Sequence, residues 1–323
     1  MPPDKIHRGY IESWNLVWER KLRKDFVVSA GYVGTQTVHQ LADDGWLNSN
    51  YHSLQVAVNR RFTGGLFVKG AYTYSRAINM TDDDGWAGIS WNDPALISRS
   101  RAQTGFNRPH VLQMAMVYEL PFGKQGNGFA NQLIRGWQVN GIFSANQTRP
   151  FNVTGSGLKA VANLQTADQV QADVQNLGGI GSSSPYYDRN AFVSVNSEML
   201  SDKTTPNPNW RTAENGVCEH LARNAAGQII VTSTSPANDC YGNSGRNILR
   251  GPSWVNLDFS VFRQFRVTEQ SHMEFRWEAF NLTNTAHFAT PNGDSTVGAF
   301  MTITNTNINA PNRVMRFSFR FQF

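Results

Sequence analysis

The chain has 323 residues, 40% of them hydrophobic, 12% aromatic and only 16% charged, with a formal net charge of +5. Globular domains carry about 25% charged residues, so the negative mean hydropathy of -0.42 comes from neutral polar residues, 31 Asn and 27 Gly among them. No run approaches the roughly 20 apolar residues of a membrane-spanning helix. Lys and Arg are scattered instead of massed as a nucleic-acid footprint requires, and Asn, Gly, Thr and aromatics disfavour a mostly helical domain.

Strict alternation of apolar and polar residues marks a strand with two unlike faces. It predicts nine strands, at 9–23, 25–35, 50–62, 65–78, 108–121, 134–147, 252–266, 270–284 and 311–323. The first pair carries Trp14, Leu16 and Trp18, then Phe26, Val28, Ala30 and Tyr32, on its apolar face. Leu54, Val56 and Val58 continue the pattern, as do Tyr72 with Tyr74, Leu112 with Met114 and Met116, and Trp137 with Val139 and Phe143. Val255, Leu257, Phe259 and Val261 oppose Asn256, Asp258 and Ser260. The contrast is sharpest at the end, where Met315, Phe317, Phe319, Phe321 and Phe323 alternate with Arg316, Ser318, Arg320 and Gln322.

Connection lengths decide the kind of sheet. Tight links at 23–25, 63–65 and 267–269 and a moderate one at 122–133 alternate with long ones at 36–49, 79–107, 148–250 and 285–310. All short turns then lie at one end of the sheet and all long loops at the other, the anatomy of an outer-membrane barrel with periplasmic turns and external loops. The fold class is therefore all-β, an antiparallel transmembrane up-and-down β-barrel. Such barrels have even strand numbers with both termini in the periplasm. Nine strands ending at a periplasmic Phe323 read as part of one: residues 1–323 as the C-terminal portion of a barrel domain, with 148–250 as a large extracellular loop and the signal peptide absent.

On this reading Met273, Phe275, Trp277, Met315, Phe317, Phe319 and Phe321 face lipid. Glu274, Arg276, Glu278, Arg316 and Arg320 face the lumen, where cross-strand ion pairs are expected. Trp14, Trp18, Tyr72, Tyr74, Tyr118, Trp137, Trp254 and Trp277 are candidates for interfacial girdles. Asp82, Asp83 and Asp84 are clustered carboxylates of the kind Ca²⁺ prefers, but they lack EF-hand spacing and are expected to be solvated loop residues. Cys218 and Cys240 fit no zinc pattern and suggest a loop disulfide in an oxidising compartment. Val161, Leu164, Val170, Val174 and Leu177 have partly helical spacing, which allows a short helix in the large loop. The seven His are scattered and no HExxH, GxSxG or P-loop occurs, so neither an enzyme nor a cofactor is expected.

The phrases Gly245-Arg246-Asn247-Ile248-Leu249-Arg250-Gly251-Pro252 followed by Trp254-Val255-Asn256-Leu257-Asp258, then Phe275-Arg276-Trp277-Glu278-Ala279-Phe280-Asn281-Leu282-Thr283-Asn284, and the terminal Arg320-Phe321-Gln322-Phe323 resemble the TonB-dependent receptors of the Oar-like type. Trp14-Asn15-Leu16, Gly31-Tyr32-Val33-Gly34, Arg108-Pro109-His110 and Gly136-Trp137-Gln138 are similar to its recurrent strand phrases. The resemblance implies ligand uptake across the bacterial outer membrane by a longer chain with a plug and a barrel of about 22 strands. It also implies that Phe323 is read by the barrel assembly machinery and that the TonB system acts only through the missing plug. The alternative reading is a structural or adhesive surface barrel without transport. The ligand is left open.

Overall fold

A computed structural model describes residues 8–40, 47–82, 96–122, 134–155, 166–214, 217–236, 240–307 and 312–323. Nine long strands form one antiparallel meander: β1 (Tyr10–Lys21), β2 (Phe26–Gln40), β3 (Leu47–Thr63), β4 (Leu66–Asn79), β5 (His110–Glu119), β6 (Trp137–Asn146), β7 (Trp254–Arg266), β8 (His272–Phe280) and β9 (Val314–Gln322). Each pairs only with its neighbours in chain order, so β1 and β9 are the two edges and the sheet is not closed. A two-residue strand, Ala102–Gln103, adds to β4.

Register carries the alternation across the whole sheet. On one face, Trp137 pairs with Arg263, Arg263 with Phe275 and Phe275 with Phe319. Farther along it, Tyr32 pairs with Leu54, Leu54 with Tyr74 and Tyr74 with His110. The other face is polar, with Gln55 opposite Thr73, Gln113 opposite Ser144 and Ser144 opposite Asn256. A soluble sheet buries its apolar face against another layer. Here Leu16, Phe317 and Phe319 are 76%, 68% and 70% exposed to anything outside the chain, which suits a surface whose solvent is lipid.

The strand ends depart from the alternation. β2 runs to Gln40 and β3 starts at Leu47, so the link expected at 36–49 shrinks to residues 41–46. Pairing continues through Gln36 with Asn50 and Thr37 with Ser49, because a strand that leaves the bilayer keeps its ladder while both faces turn polar. At the same end of the sheet, β8 stops at Phe280, four residues before the expected bound, where Asn281 takes a left-handed φ of 50°. The β3–β4 turn uses Gly64 and Gly65 at φ 58° and 79°, the conformation that a two-residue hairpin with native twist demands.

The protein core lies in the long connections. Those leaving β6 and β8 fold together through Pro150–Phe151 with Leu249–Arg250, Asp168–Gln169 with Phe192–Val193, and Gly181–Pro185 with Thr302–Ile303. Val153, Ala167, Phe192, Phe300 and Met301 are buried at their centre. A three-stranded sheet, Arg211–Glu214, Val217–Arg223 and Ile229–Ser235, stands beside them. The helix expected across Leu158 to Leu177 does not form in its described part: 166–177 is extended or bent and Asp168–Gln169 pairs as a strand. Residues 158–165 lie outside the described residues.

Candidate functional site: a loop cap over the polar face

The cap rests on the polar face at the long-loop end. Ser53, Ser75, Asn79 and Asn146, all polar-face positions of that end, are 3%, 8%, 7% and 6% exposed. One segment, Gly245 to Pro252, makes the fastening. Arg246 donates from Nη2 to the Asn79 carbonyl at 2.9 Å and also to the Asn79 side chain, and its Nη1 stands 3.5 Å from Asp82. Asn247 donates its backbone N–H to the side-chain oxygen of Asn152 at 2.8 Å and its Nδ2 to the Gln103 carbonyl at 2.7 Å. Its φ of 55° is left-handed, a conformation that Asn tolerates better than most residues. Arg250 Nη1 donates to the carbonyls of Asn107, at 3.1 Å, and Thr148, at 2.9 Å. Burial pulls both guanidinium groups below the usual arginine value, with Asp82 opposing the shift at Arg246. Burial likewise raises Tyr187, whose hydroxyl donates to the Arg250 carbonyl at 2.8 Å.

Asp82 belongs to this clamp. Its oxygens accept from the Gly105 N–H at 2.9 and 2.8 Å and from Nδ2 of Asn79 and of Asn247, both at 3.1 Å. A carboxylate so occupied with N–H donors has little left to offer a cation. Asp83 and Asp84 lie outside the described residues, and among the described residues no cluster of three His, Cys, Asp or Glu assembles.

Deeper in the cap, Arg211 and Asp168 form a bidentate pair, and Cys218 and Cys240, both fully buried, are joined as a disulfide with Cα atoms 5.4 Å apart. Between the cap and the ends of β5, β6 and β7 opens a cavity of about 630 Å³, lined by Arg108, Thr148, Arg149, Trp254, Phe288 and Asn305 among others. A second, of about 380 Å³, lies against β3 and β4 beside Tyr51, Asn79 and Phe106.

Register places the expected side chains as follows. Met273, Phe275 and Trp277 stand opposite Phe321, Phe319 and Phe317, and Ala279 opposite Met315, all on the apolar face. Glu274, Arg276 and Glu278 stand opposite Arg320, Ser318 and Arg316 on the polar one. The ion pairs differ from expectation. They run along β8, from Arg276 to Glu274 at 3.0 Å and to Glu278 at 3.9 Å, and Arg316 instead lies over the Phe280 ring at 5.2 Å. Arg276 reaches both carboxylates on its own strand, and the aromatic ring competes for Arg316. Phe323 is 97% exposed, its ring 6.0 Å from Phe321.

Of the girdle candidates, Trp14 packs near His52, and Tyr72 and Tyr74 pack with His110, on the apolar face near the loop end. Trp254 does not join them: it stands opposite Asn146 on the polar face and lines the larger cavity. Sequence reasoning missed Arg263, which occupies an apolar-face position yet is 5% exposed, with its guanidinium 5.3 Å from the Trp137 ring and 3.9 Å from that of Phe265. It also missed Arg108, Arg149 and Arg250, although the phrases that contain the first and last were visible.

The family model described as outer membrane beta barrel domain matches residues 42–316. The chain belongs to that family. This is a protein of the bacterial outer membrane, with β-strands as the membrane-crossing elements. No curated protein matches it. Among solved structures it is similar to the ferric-catecholate import receptor Fiu from E. coli K12 in its closed form, with a TM-score of 0.43 and 10% identity over 97% of this chain. The chain spans 28% of the length of that receptor chain.

Proposed function

We propose that this outer-membrane barrel protein is the C-terminal part of a TonB-dependent transporter of the Oar-like kind, which takes up a ligand as part of a longer chain. The observation that carries this reading is the cap. A folded body with its own core is fastened over the polar face by Arg246, Asn247 and Arg250, so the long-loop end presents shaped cavities at the mouth of a water-compatible path. The two open edges, β1 and β9, support further strands as their partners, since an unpaired edge in lipid leaves backbone groups unsatisfied.

Capture takes place on the cap, and passage follows the polar face past Glu274, Arg276, Glu278, Arg316 and Arg320. The chemistry is non-covalent throughout: hydrogen bonds and ion pairs are exchanged, and energy enters through a plug that engages the TonB system. Met273, Phe275, Trp277, Met315, Phe317, Phe319 and Phe321 meet lipid, and Phe323 is the mark read by the assembly machinery.

The test is accumulation of candidate ligands by cells that carry or lack the gene, with and without the inner-membrane motor. Uptake that needs both is the expected result. Surface attachment that depends on the gene, with no motor-dependent uptake, would replace this reading with an adhesive barrel.

A further inference from the structure

The larger cavity has a composition that selects a ligand. Its volume, about 630 Å³, lies within the range of roughly 300–1,000 Å³ that small-molecule sites occupy. Two cations, Arg108 and Arg149, line it, and among the described lining residues there is no carboxylate. Neither guanidinium takes part in any of the ion pairs among the described residues. The two are brought together by Arg250: its Nη1 donates to the carbonyls of Asn107 and Thr148, the residues immediately before each arginine, and so draws two chain segments side by side.

The rest of the wall is equally specific. Trp254 is held by His287, with ring centroids 5.3 Å apart at 75°, and His287 is itself anchored through Nε2 to the Val255 carbonyl at 3.0 Å. Gly251 lets the walls close: a Cβ there would meet Thr290 at 3.2 Å and Thr148 at 3.4 Å, and both residues line the cavity. Asn305, Thr306 and Asn307 line it too and add neutral groups that both donate and accept.

We infer that this cavity binds an acidic saccharide. Arg108 and Arg149 take the carboxylate as charge-assisted hydrogen bonds, Trp254 receives the apolar face of a sugar ring, and the Thr and Asn side chains pair with hydroxyls. The inference rests on the reading of the cap as the ligand-capturing end, and it names the class of ligand captured.

The test is calorimetric titration of the chain, as the cell makes it and extracted in detergent, with digalacturonic acid and with its neutral counterpart digalactose. The expected result is at least tenfold tighter binding of the acid, a gap that closes in Arg108→Gln/Arg149→Gln and narrows with added salt. Both arginines are exposed, so this variant keeps the fold, which retention of the heat-modifiable band on gels checks. Equal binding of the two sugars, binding of neither, or a gap that survives in the double variant would overturn the inference. Because binding is measured without the motor, motor-dependent uptake alongside no acid preference sinks this inference alone. Acid-selective binding without motor-dependent uptake sinks the transport reading and leaves the site standing.

Discussion

Arg211 and Asp168, 43 residues apart in the chain, meet inside the cap as a two-point ion pair, Nη1 to Oδ2 at 2.5 Å and Nη2 to Oδ1 at 3.0 Å, with side chains 6% and 0% exposed. Asp168 also accepts the Asn243 N–H at 3.0 Å, and Arg211 donates to the Tyr241 carbonyl at 2.9 Å. Breaking a buried pair from one side leaves an uncompensated charge and costs about 3–5 kcal/mol, whereas replacing both partners by apolar residues is often neutral. Asp168→Asn should therefore open the cap to limited proteolysis while the strands stay protected. Asp168→Leu/Arg211→Met should restore most of the resistance, and equal sensitivity of the two variants would show that the pair does not hold the cap.

The disulfide closes a loop of 22 residues' separation around the hairpin Val217–Arg223 and Ile229–Ser235. In the chain-entropy picture a loop of that size gives roughly 3 kcal/mol, spent locally because the three-stranded sheet adds no residue to the main hydrophobic cluster. Reduction should raise hydrogen exchange across 211–235 and leave β3 and β4 unchanged. Exchange that rises throughout the cap would mean that the hairpin supports the whole body.

Asp202 gives the cap a measurable acid limit. Its carboxylate accepts from the Thr205 hydroxyl at 2.6 Å and from the N–H groups of Thr205 and Thr204, both at 2.8 Å. These bonds, the Thr205 side chain foremost, lower its pKa to about 2. A depressed carboxylate contributes stability that is present above its unfolded pKa and lost as pH falls through the folded one. The turn should hold down to about pH 2. Carboxyl NMR of ¹³C-labelled aspartate should find the midpoint there, moving towards the ordinary value in Thr205→Ala; an unmoved midpoint would reject the hydroxyl as the main cause.

How far the sequence is legible follows from range. The strands of β8 and β9 read directly because Phe275 and Phe319, or Glu274 and Arg320, repeat a period of two through the bilayer. β2 was read short because Gln36, Thr37 and His39 lie where both faces turn polar and the period loses contrast. Arg263 stayed hidden because part of the cover that makes it tolerable, the Trp137 ring on the neighbouring strand, depends on register across strands. The cap was illegible for the same reason at longer range: Arg246 finds Asn79 across 167 positions, and nothing local in either segment announces the other. The phrase Gly245 to Pro252 was visible as a resemblance, but its work as a clamp could be seen only once Gln103, Asn107 and Thr148 were brought to it.

The two faces of β9 can be told apart by a single charge. Phe319 stands opposite Phe275 with ring centroids 5.1 Å apart, in the middle of the strand, and is 70% exposed outside the chain. If that face meets lipid, a charge there costs about 2–4 kcal/mol at the bilayer midplane, enough to compete with assembly. Ser318, one residue away, stands opposite Arg276 on the polar face, where a carboxylate gains a cross-strand partner. Phe319→Lys should therefore lower the heat-modifiable fraction in outer membranes sharply, and Ser318→Glu should leave it close to that of the unsubstituted protein. Equal assembly of the two variants would remove the lipid from the apolar face and, with it, the physical reason for the alternation.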